Sequence, residues 1–161
     1  MISKGQKIPS VKIKQVTAEG VSDVDTAEMF AGKTVAMFSL PGAFTPTCSA
    51  KHLPGFTRDA DALKGKGVDI IACLSVNDAF VMKAWGEEQK ALGKIVFLAD
   101  GAAEFSRALG IDIDLAKFGM GVRANRGLLI AKDGVVQSIE MEAPGQLDVS
   151  TAEACSLKLG A

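Results

Sequence analysis

Two hydrophobic patterns alternate along the chain. Short runs rich in β-branched and aliphatic residues predict strands, and longer stretches with apolar residues three or four positions apart predict helices. The predicted strands are Val35–Leu40, Val68–Val76, Ile95–Leu98, Leu128–Ala131 and Val135–Glu140. The predicted helices are Thr45–Lys64, Asp78–Ala91, Glu104–Leu109 and Thr151–Leu159. Strands and helices are thus expected to alternate up to a final pair of strands, which one last helix follows.

The order of these elements indicates an α/β fold. Strand–helix–strand units pair their strands in parallel through right-handed crossovers. Lys132-Asp133-Gly134 predicts a hairpin turn that adds antiparallel strands. We therefore expect a three-layer, thioredoxin-like fold in which helices flank a mixed central sheet. The 161 residues show no internal repeat, low-complexity tract or linker, so residues 1–161 are predicted to form a single domain.

Composition and charge exclude several classes of function. A net charge of −1 offers no excess of positive charge for nucleic acid or for an anionic membrane surface. The chain has no apolar run of membrane length, and its first residues lack the apolar core of a signal peptide. We therefore expect a cytoplasmic protein without a nucleic-acid or membrane partner.

The number and spacing of the cysteines exclude several kinds of site. Three cysteines, Cys48, Cys73 and Cys155, are too few and odd in number for a secreted disulfide framework. With the single histidine, His52, they show no Cys-x-x-Cys spacing, so neither a zinc site nor a dithiol redox motif is predicted. Redox chemistry at one nucleophilic cysteine is the possibility that these exclusions leave.

The strongest chemical signal follows the first predicted strand, in Pro41-x-x-x-Thr45-x-x-Cys48. Pro41 ends the strand, because proline has no N–H to donate to a sheet. Thr45 and Pro46 suit the cap and the first position of a helix, which places Cys48 at the third helical position. Free backbone amides and the helix dipole favour a thiolate there. We predict that Cys48 is a nucleophile, with an inert buried thiol as the alternative.

The residues around this cysteine have a structural and a functional interpretation. Thr45 can serve only as a cap, or its hydroxyl can also bond an oxygen of a substrate. Pro41 can serve only to stop the strand, or it can also shield the thiolate from water. An arginine beside a later strand would stabilise the thiolate and orient a substrate oxygen. Arg126 directly precedes its strand and is preferred, Arg123 is the alternative, and a solvated surface arginine is the structural interpretation.

The other chemistry-bearing residues give weaker signals. His52 lies four residues after Cys48 and invites a Cys–His hydrolase interpretation, but nothing nominates a third group or an oxyanion hole, so packing is favoured. Cys73 falls in a predicted central strand, where a buried inert thiol is expected. Cys155 lies in the last helix and is either a thiol able to reach an oxidised Cys48 or a passive helix residue.

The segment from Pro41 to Ser49, with Lys51–Phe56 after it, closely resembles the peroxidatic motif of peroxiredoxins, specifically the type-5 subfamily. The resemblance continues through further segments and so covers essentially the whole chain. These are Cys73–Met82, Trp85, Leu98–Gly101, Arg126 and Asp133-Gly134.

This resemblance implies a thiol-specific peroxidase that reduces hydrogen peroxide and alkyl hydroperoxides in antioxidant defence. Cys48 would cycle through a sulfenic acid. Thr45 and Arg126 would bind and polarise the peroxide, and Pro41 would shield the thiolate. No cofactor and no metal are implied. A homodimer is the expected assembly.

The resemblance leaves the regeneration of Cys48 open. Cys155-Ser156-Leu157 resembles the resolving cysteine of some type-5 relatives, whereas others use glutathione, glutaredoxin or thioredoxin. Cys73 is a weaker candidate for the resolving thiol. The alternative function from another class is a non-catalytic thioredoxin-fold module that senses oxidants or binds partners.

Overall fold

A computed structural model describes residues 1–160, and its centre is a seven-stranded sheet. The strands of the chain are β1 Lys12–Thr17, β2 Gly20–Asp25, β3 Thr34–Ser39, β4 Ile70–Ser75, β5 Val96–Ala99, β6 Asp112–Asp114, β7 Val122–Ala124, β8 Gly127–Lys132 and β9 Val135–Met141. The order in the main sheet is β2-β1-β5-β4-β3-β8-β9, and β6 pairs with β7 in a separate ribbon.

The strand directions make this a mixed sheet. The central strands β3, β4 and β5 are parallel, whereas β8 and β9 continue the sheet antiparallel on one side and β1 and β2 on the other. Nearly every residue of β3 and β4 is buried, which explains their continuous apolar runs, because parallel strands are covered on both faces. The predicted fold class, a thioredoxin-like α/β fold with a mixed sheet, is confirmed.

Five α-helices cover the two faces of the sheet in the described residues. They are α1 Thr26–Phe30, α2 Leu53–Gly65, α3 Ala79–Glu88, α4 Glu104–Leu109 and α5 Ala152–Leu159. One buried cluster joins Phe56 of α2, Trp85 of α3 and Cys155 of α5 to one face. A second cluster joins Phe30 of α1 and Phe105 of α4 to the other face. Three layers result, as the element order predicts.

Several elements differ from the sequence prediction. The edge hairpin β1–β2 and the short helix α1 were not predicted, because polar residues interrupt their apolar positions and much of their surface is exposed. The ribbon β6–β7 has three residues in each strand, too few for a periodic signal. Among residues 1–160, no helix combines the length and apolar character needed to span a bilayer.

The predicted helix Thr45–Lys64 contains an irregularity. Helical backbone begins at Pro46, passes through a π-helical turn at Cys48–His52 and continues as α2. Inside this turn the Leu53 N–H donates to the carbonyl of Cys48, a spacing of five residues. π turns often occur at functional positions of helices.

Candidate active site

Cys48 lies in the first turn of helical backbone after β3. The Ser49 N–H donates to the Thr45 carbonyl at 2.9 Å, so the helix begins where the sequence predicts and Cys48 takes the third helical position. Its side chain is fully buried. Partial positive charge from the first backbone N–H groups of the helix surrounds this buried sulfur.

Arg126 is the cation that the fold brings to this sulfur. Its Nη2 lies 3.0 Å from the Cys48 Sγ. Arg126 directly precedes β8, which pairs antiparallel with β3 in a register that sets Gly127 opposite Ser39. A Cβ atom at Gly127 would lie 2.9 Å from the Glu140 carbonyl of β9, so glycine allows the close approach of β8 and β9. A guanidinium at this distance sets a positive charge and a hydrogen-bond donor against the sulfur.

Arg123, the alternative cation, takes a different position. Its Nη1 donates to the carbonyls of Pro41 at 3.3 Å and Val76 at 3.4 Å, and its Nε donates to the Met120 carbonyl at 2.8 Å. A Cβ atom at Gly42 would lie 2.8 Å from this Nη1, so glycine makes room for the guanidinium. Arg123 therefore braces the loop before Cys48.

Thr45 and Pro41 belong to the loop that connects β3 to the helix of Cys48. The Thr45 hydroxyl donates to the Gly42 carbonyl at 2.7 Å, so it bonds back to the loop, and the prediction that this side chain caps the helix is wrong. Pro41, Thr47 and Arg126 are among the residues that line a cavity of about 470 Å³. The remaining lining is largely apolar and comes from Ile113, Leu115, Phe118, Asn125 and Ala143 to Gln146.

The loop before Cys48 and the turn that follows it are held by residues for which the sequence suggested no role. The Ala43 N–H donates to the Asn77 Oδ1 at 3.0 Å, and the Ser75 hydroxyl donates to the same atom at 2.5 Å. The Trp85 Nε1–H donates to the Ser49 Oγ at 3.0 Å. Asn77 and Trp85 lie in the segments that resemble peroxiredoxins, and this resemblance is the signal that could have nominated them.

His52 contacts Arg126 and does not act as a partner base for Cys48. Its Nδ1 lies 2.8 Å from the Arg126 Nη1, and its Nε2 lies 2.8 Å from the Ser150 carbonyl oxygen. Both ring nitrogens are therefore occupied, which removes the base that a Cys–His hydrolase needs. Burial and the charge of Arg126 lower the pKa of His52 to about 4, while the Ser150 hydrogen bond and Glu142 act in the opposite direction.

Glu142 anchors the segment that carries Ser150. Its carboxylate accepts hydrogen bonds from the Asp148 N–H at 2.7 Å, the Ser150 N–H at 2.8 Å and the Ser150 hydroxyl at 2.6 Å. Burial opposes ionisation, but these hydrogen bonds prevail and lower the pKa of Glu142. The Glu142 N–H donates to the Arg126 carbonyl at 2.9 Å. Neither Glu142 nor Ser150 lies in a motif that sequence analysis can recognise.

The other two cysteines are buried free thiols. Cys73 lies in β4 opposite Phe38 of β3, and burial together with the nearby Cys48 raises its pKa well above the ordinary value. Cys155 packs in α5, where burial raises its pKa to about 12 despite the nearby Lys66. Within residues 1–160, no cluster of three or more histidine, cysteine or acidic side chains could hold a metal ion.

Comparison with known proteins agrees with this geometry. The Redoxin family matches residues 3–155. "Peroxiredoxin-2E-2, chloroplastic" of Oryza sativa is 48% identical over 158 residues, which cover 94% of this chain and 70% of that protein. "Hybrid peroxiredoxin hyPrx5" of Haemophilus influenzae is 44% identical over 144 residues, which cover 88% of this chain and 59% of that protein.

A solved structure extends the agreement to three dimensions. Reduced Prx3 of Vibrio vulnificus, in complex with H₂O₂, has a TM-score of 0.93 and 51% identity, with 99% of both chains covered. The chain belongs to the Redoxin family. Its relatives are peroxiredoxins that include type-5 members, and it is a thiol-dependent peroxidase of antioxidant defence. The predicted enzyme class is confirmed over the non-catalytic alternative.

Proposed function

We propose that Cys48 is the peroxidatic cysteine and that Arg126 supports its chemistry. The single observation that carries this proposal is the 3.0 Å contact between the Arg126 Nη2 and the Cys48 Sγ. The contact sets a positive charge beside the proposed nucleophile, and it directs a donor at oxygens that approach the sulfur. Residues 1–161 act in this proposal as one peroxidase domain.

In the proposed first step, the Cys48 thiolate attacks the terminal oxygen of a hydroperoxide. The S–O bond forms as the O–O bond breaks, and the electron pair of that bond leaves with the other oxygen. This oxygen takes a proton from solvent and departs as water or an alcohol, while Cys48 is left as a sulfenic acid. Hydrogen peroxide is the proposed substrate, together with alkyl hydroperoxides. The H₂O₂ complex of the Vibrio vulnificus relative supports it.

Thr45 and Pro41 have supporting roles in this proposal. The Thr45 hydroxyl, now bonded to the Gly42 carbonyl, has a lone pair free to accept from the peroxide. Pro41 lines the approach and keeps water from the thiolate. The cavity of about 470 Å³ that Pro41 shares with Arg126 is the proposed route by which substrate enters.

An external thiol regenerates Cys48 in our proposal. A thiolate attacks the sulfenic sulfur, a mixed disulfide forms, water leaves, and a second thiol releases Cys48. Cys155 is poorly suited to be the resolving thiol in this fold, because it is buried and its pKa is raised to about 12. We propose glutathione, through a glutaredoxin, or thioredoxin as the donor.

The assembly and the location are also part of the proposal. Phe44 and Phe118 expose 52% and 66% of their surface close to the site, which supports a homodimer that pairs through this face. The cytoplasm is the proposed location, although the Oryza sativa relative is named as a chloroplastic protein.

Peroxide consumption by the purified protein tests the proposal. With glutathione and glutaredoxin, or with a thioredoxin system, we expect sustained removal of hydrogen peroxide, and we expect Cys48→Ser to abolish it. Oxidation that stops after one equivalent with every donor, or turnover that survives in Cys48→Ser, would overturn the proposal.

A further inference from the structure

A closed circuit of hydrogen bonds passes through Arg126 by both its side chain and its backbone. The Arg126 Nη1 contacts the His52 Nδ1, and the His52 Nε2 contacts the Ser150 carbonyl. The N–H and hydroxyl of Ser150 donate to the Glu142 carboxylate. The Glu142 N–H donates to the Arg126 carbonyl, which closes the circuit. The four residues come from four separate segments of the chain.

The partners fix the protons on the imidazole. A guanidinium can only donate, so the His52 Nδ1 must accept from Arg126. A carbonyl can only accept, so the Nε2 must carry the proton and donate to Ser150. His52 is therefore neutral and in a single tautomer. A proton added at Nδ1 would replace the hydrogen bond by a contact between two cations.

The surroundings of the imidazole leave no substitute for these partners. The ring of Phe38 lies 5.0 Å from it and that of Phe56 lies 5.8 Å, measured between centroids. Only 1% of the His52 surface is exposed, so water cannot replace a lost hydrogen bond. The two Nη groups of Arg126 are divided between His52 and Cys48, which sets the plane of the guanidinium.

We infer that His52 is a positioning residue, whose neutral Nδ1 holds the Arg126 guanidinium so that Nη2 meets the Cys48 sulfur. Ser150 and Glu142 fix the imidazole and so act one step further from the chemistry. The inference rests on the proposed function, because it needs the contact between Arg126 and Cys48 to matter for the rate of peroxide reduction.

A double-mutant cycle tests the inference. The second-order rate constant of Cys48 with hydrogen peroxide is measured in the wild type, His52→Leu, Arg126→Met and the double variant. We expect His52→Leu to lower the rate about tenfold, the effect of one hydrogen bond to a charged group. In the Arg126→Met background we expect a further change of less than about twofold, because the group that His52 positions is absent. Lys51→Ala, on the exposed side of the same turn, is the control.

The outcomes separate the inference from the proposed function. Equal losses from His52→Leu in both backgrounds would mean that His52 acts through the fold alone, and this would overturn the inference. A slow Arg126→Met with an unaffected His52→Leu would overturn it too, while the proposed function would stand. An unaffected Arg126→Met would defeat the proposed function itself.

Two further measurements keep the inference testable if His52→Leu does not fold. His52→Gln keeps one acceptor and one donor, so its loss of rate should be smaller than that of a variant that keeps neither, such as His52→Ala. Nitrogen-15 NMR of the wild type reports the tautomer directly, because His52 is the only histidine of the chain. We expect a bare Nδ1 and a protonated Nε2 at neutral pH, whereas a charged ring or an Nδ1–H tautomer would overturn the inference.

Discussion

Ser39 at the end of β3 lies directly opposite Gly127 at the start of β8. The Ser39 hydroxyl also donates to the Asn125 carbonyl at 2.7 Å, which fastens the turn between β7 and β8. Since Arg126 lies inside that turn, the strand register carries it to the helix that begins after β3. The pairing of two strands, far apart in the sequence, thus places the cation against the Cys48 sulfur.

Replacement of Arg126 tests this placement at the level of rate. Arg126→Met removes the charge and the donor at nearly the same length, and we expect the rate with hydrogen peroxide to fall about 10²-fold or more, as for the loss of an oxyanion donor. The rate of Arg126→Lys should lie between those of the wild type and Arg126→Met, because lysine keeps the charge but cannot bond Cys48 and His52 at the same time. Stopped-flow fluorescence of Trp85 is the measurement. Arg107→Met, on the exposed surface of α4, is the control, and a similar loss there would contradict the account.

Cys73 and Cys155 should react with peroxide far more slowly than Cys48. Burial raises the pKa of both Cys73 and Cys155, to about 12 for Cys155, so few of these thiols are ionised at neutral pH. We expect peroxide-treated protein to keep both as free thiols, and we expect iodoacetamide to reach Cys155 only when α5 unfolds in denaturant. Peptide mass spectrometry measures this. A Cys48–Cys155 disulfide formed without added thiol would show instead that α5 opens and that Cys155 resolves Cys48.

His52 should make the fold sensitive to acid. In the folded protein its pKa is lowered from the ordinary value of 6.5 to about 4 by burial and by Arg126, against the opposing effect of Glu142. His52 is therefore protonated below about pH 6.5 in the unfolded chain, but only below about pH 4 in the folded protein. The free energy of unfolding should fall over this range, by roughly 3 kcal/mol in total, and be unaffected by His52 above it.

His52→Gln is the comparison for this prediction, because glutamine does not titrate. Urea unfolding at a series of pH values should give a flatter dependence in the variant between pH 6.5 and 4. Asp25 and Asp59, whose pKa values are lowered and which lie outside the His52 hydrogen-bond circuit, titrate in both proteins and so cancel in the comparison. Equal slopes in the two proteins would contradict the assigned protonation of His52.

The hydrogen bond between Trp85 and Ser49 should stabilise the turn that carries Cys48. Ser49→Ala leaves a buried indole N–H without its partner, and we expect a loss of about 1–3 kcal/mol in the free energy of unfolding. In the Trp85→Phe background the same substitution should cost much less, because the donor is gone. Denaturant unfolding of the four proteins gives the coupling. Additive losses would mean that the hydrogen bond contributes nothing.

The sequence predicts those parts of the site that depend on local chemistry. Pro41, Thr45 and Cys48 are recognisable because a strand stop, a helix start and a thiol follow one another within a few positions. The preference for Arg126 over Arg123 rests on adjacency to a strand, and the structure brings Arg126 to Cys48 while Arg123 braces the loop.

Other parts depend on contacts that no local pattern encodes. Ser150 and Glu142 reach the site only through long-range hydrogen bonds, so their residue types alone did not nominate them. The π turn at Cys48–His52 was not predicted, because a shift from four-residue to five-residue hydrogen bonding leaves no mark in the sequence. The sequence also placed His52 on the face of Cys48 but could not show that Arg126 lies between them.

The most direct test of the central claim is to find which sulfur hydrogen peroxide oxidises first. One equivalent of peroxide is added to reduced protein, a sulfenic-acid reagent such as dimedone is added at once, and the modified peptide is identified by mass spectrometry. The account predicts the adduct on Cys48, its absence in Cys48→Ser and its much slower formation in Arg126→Met. First oxidation at Cys73 or Cys155, or an adduct at Cys48 that forms equally fast without Arg126, would contradict it.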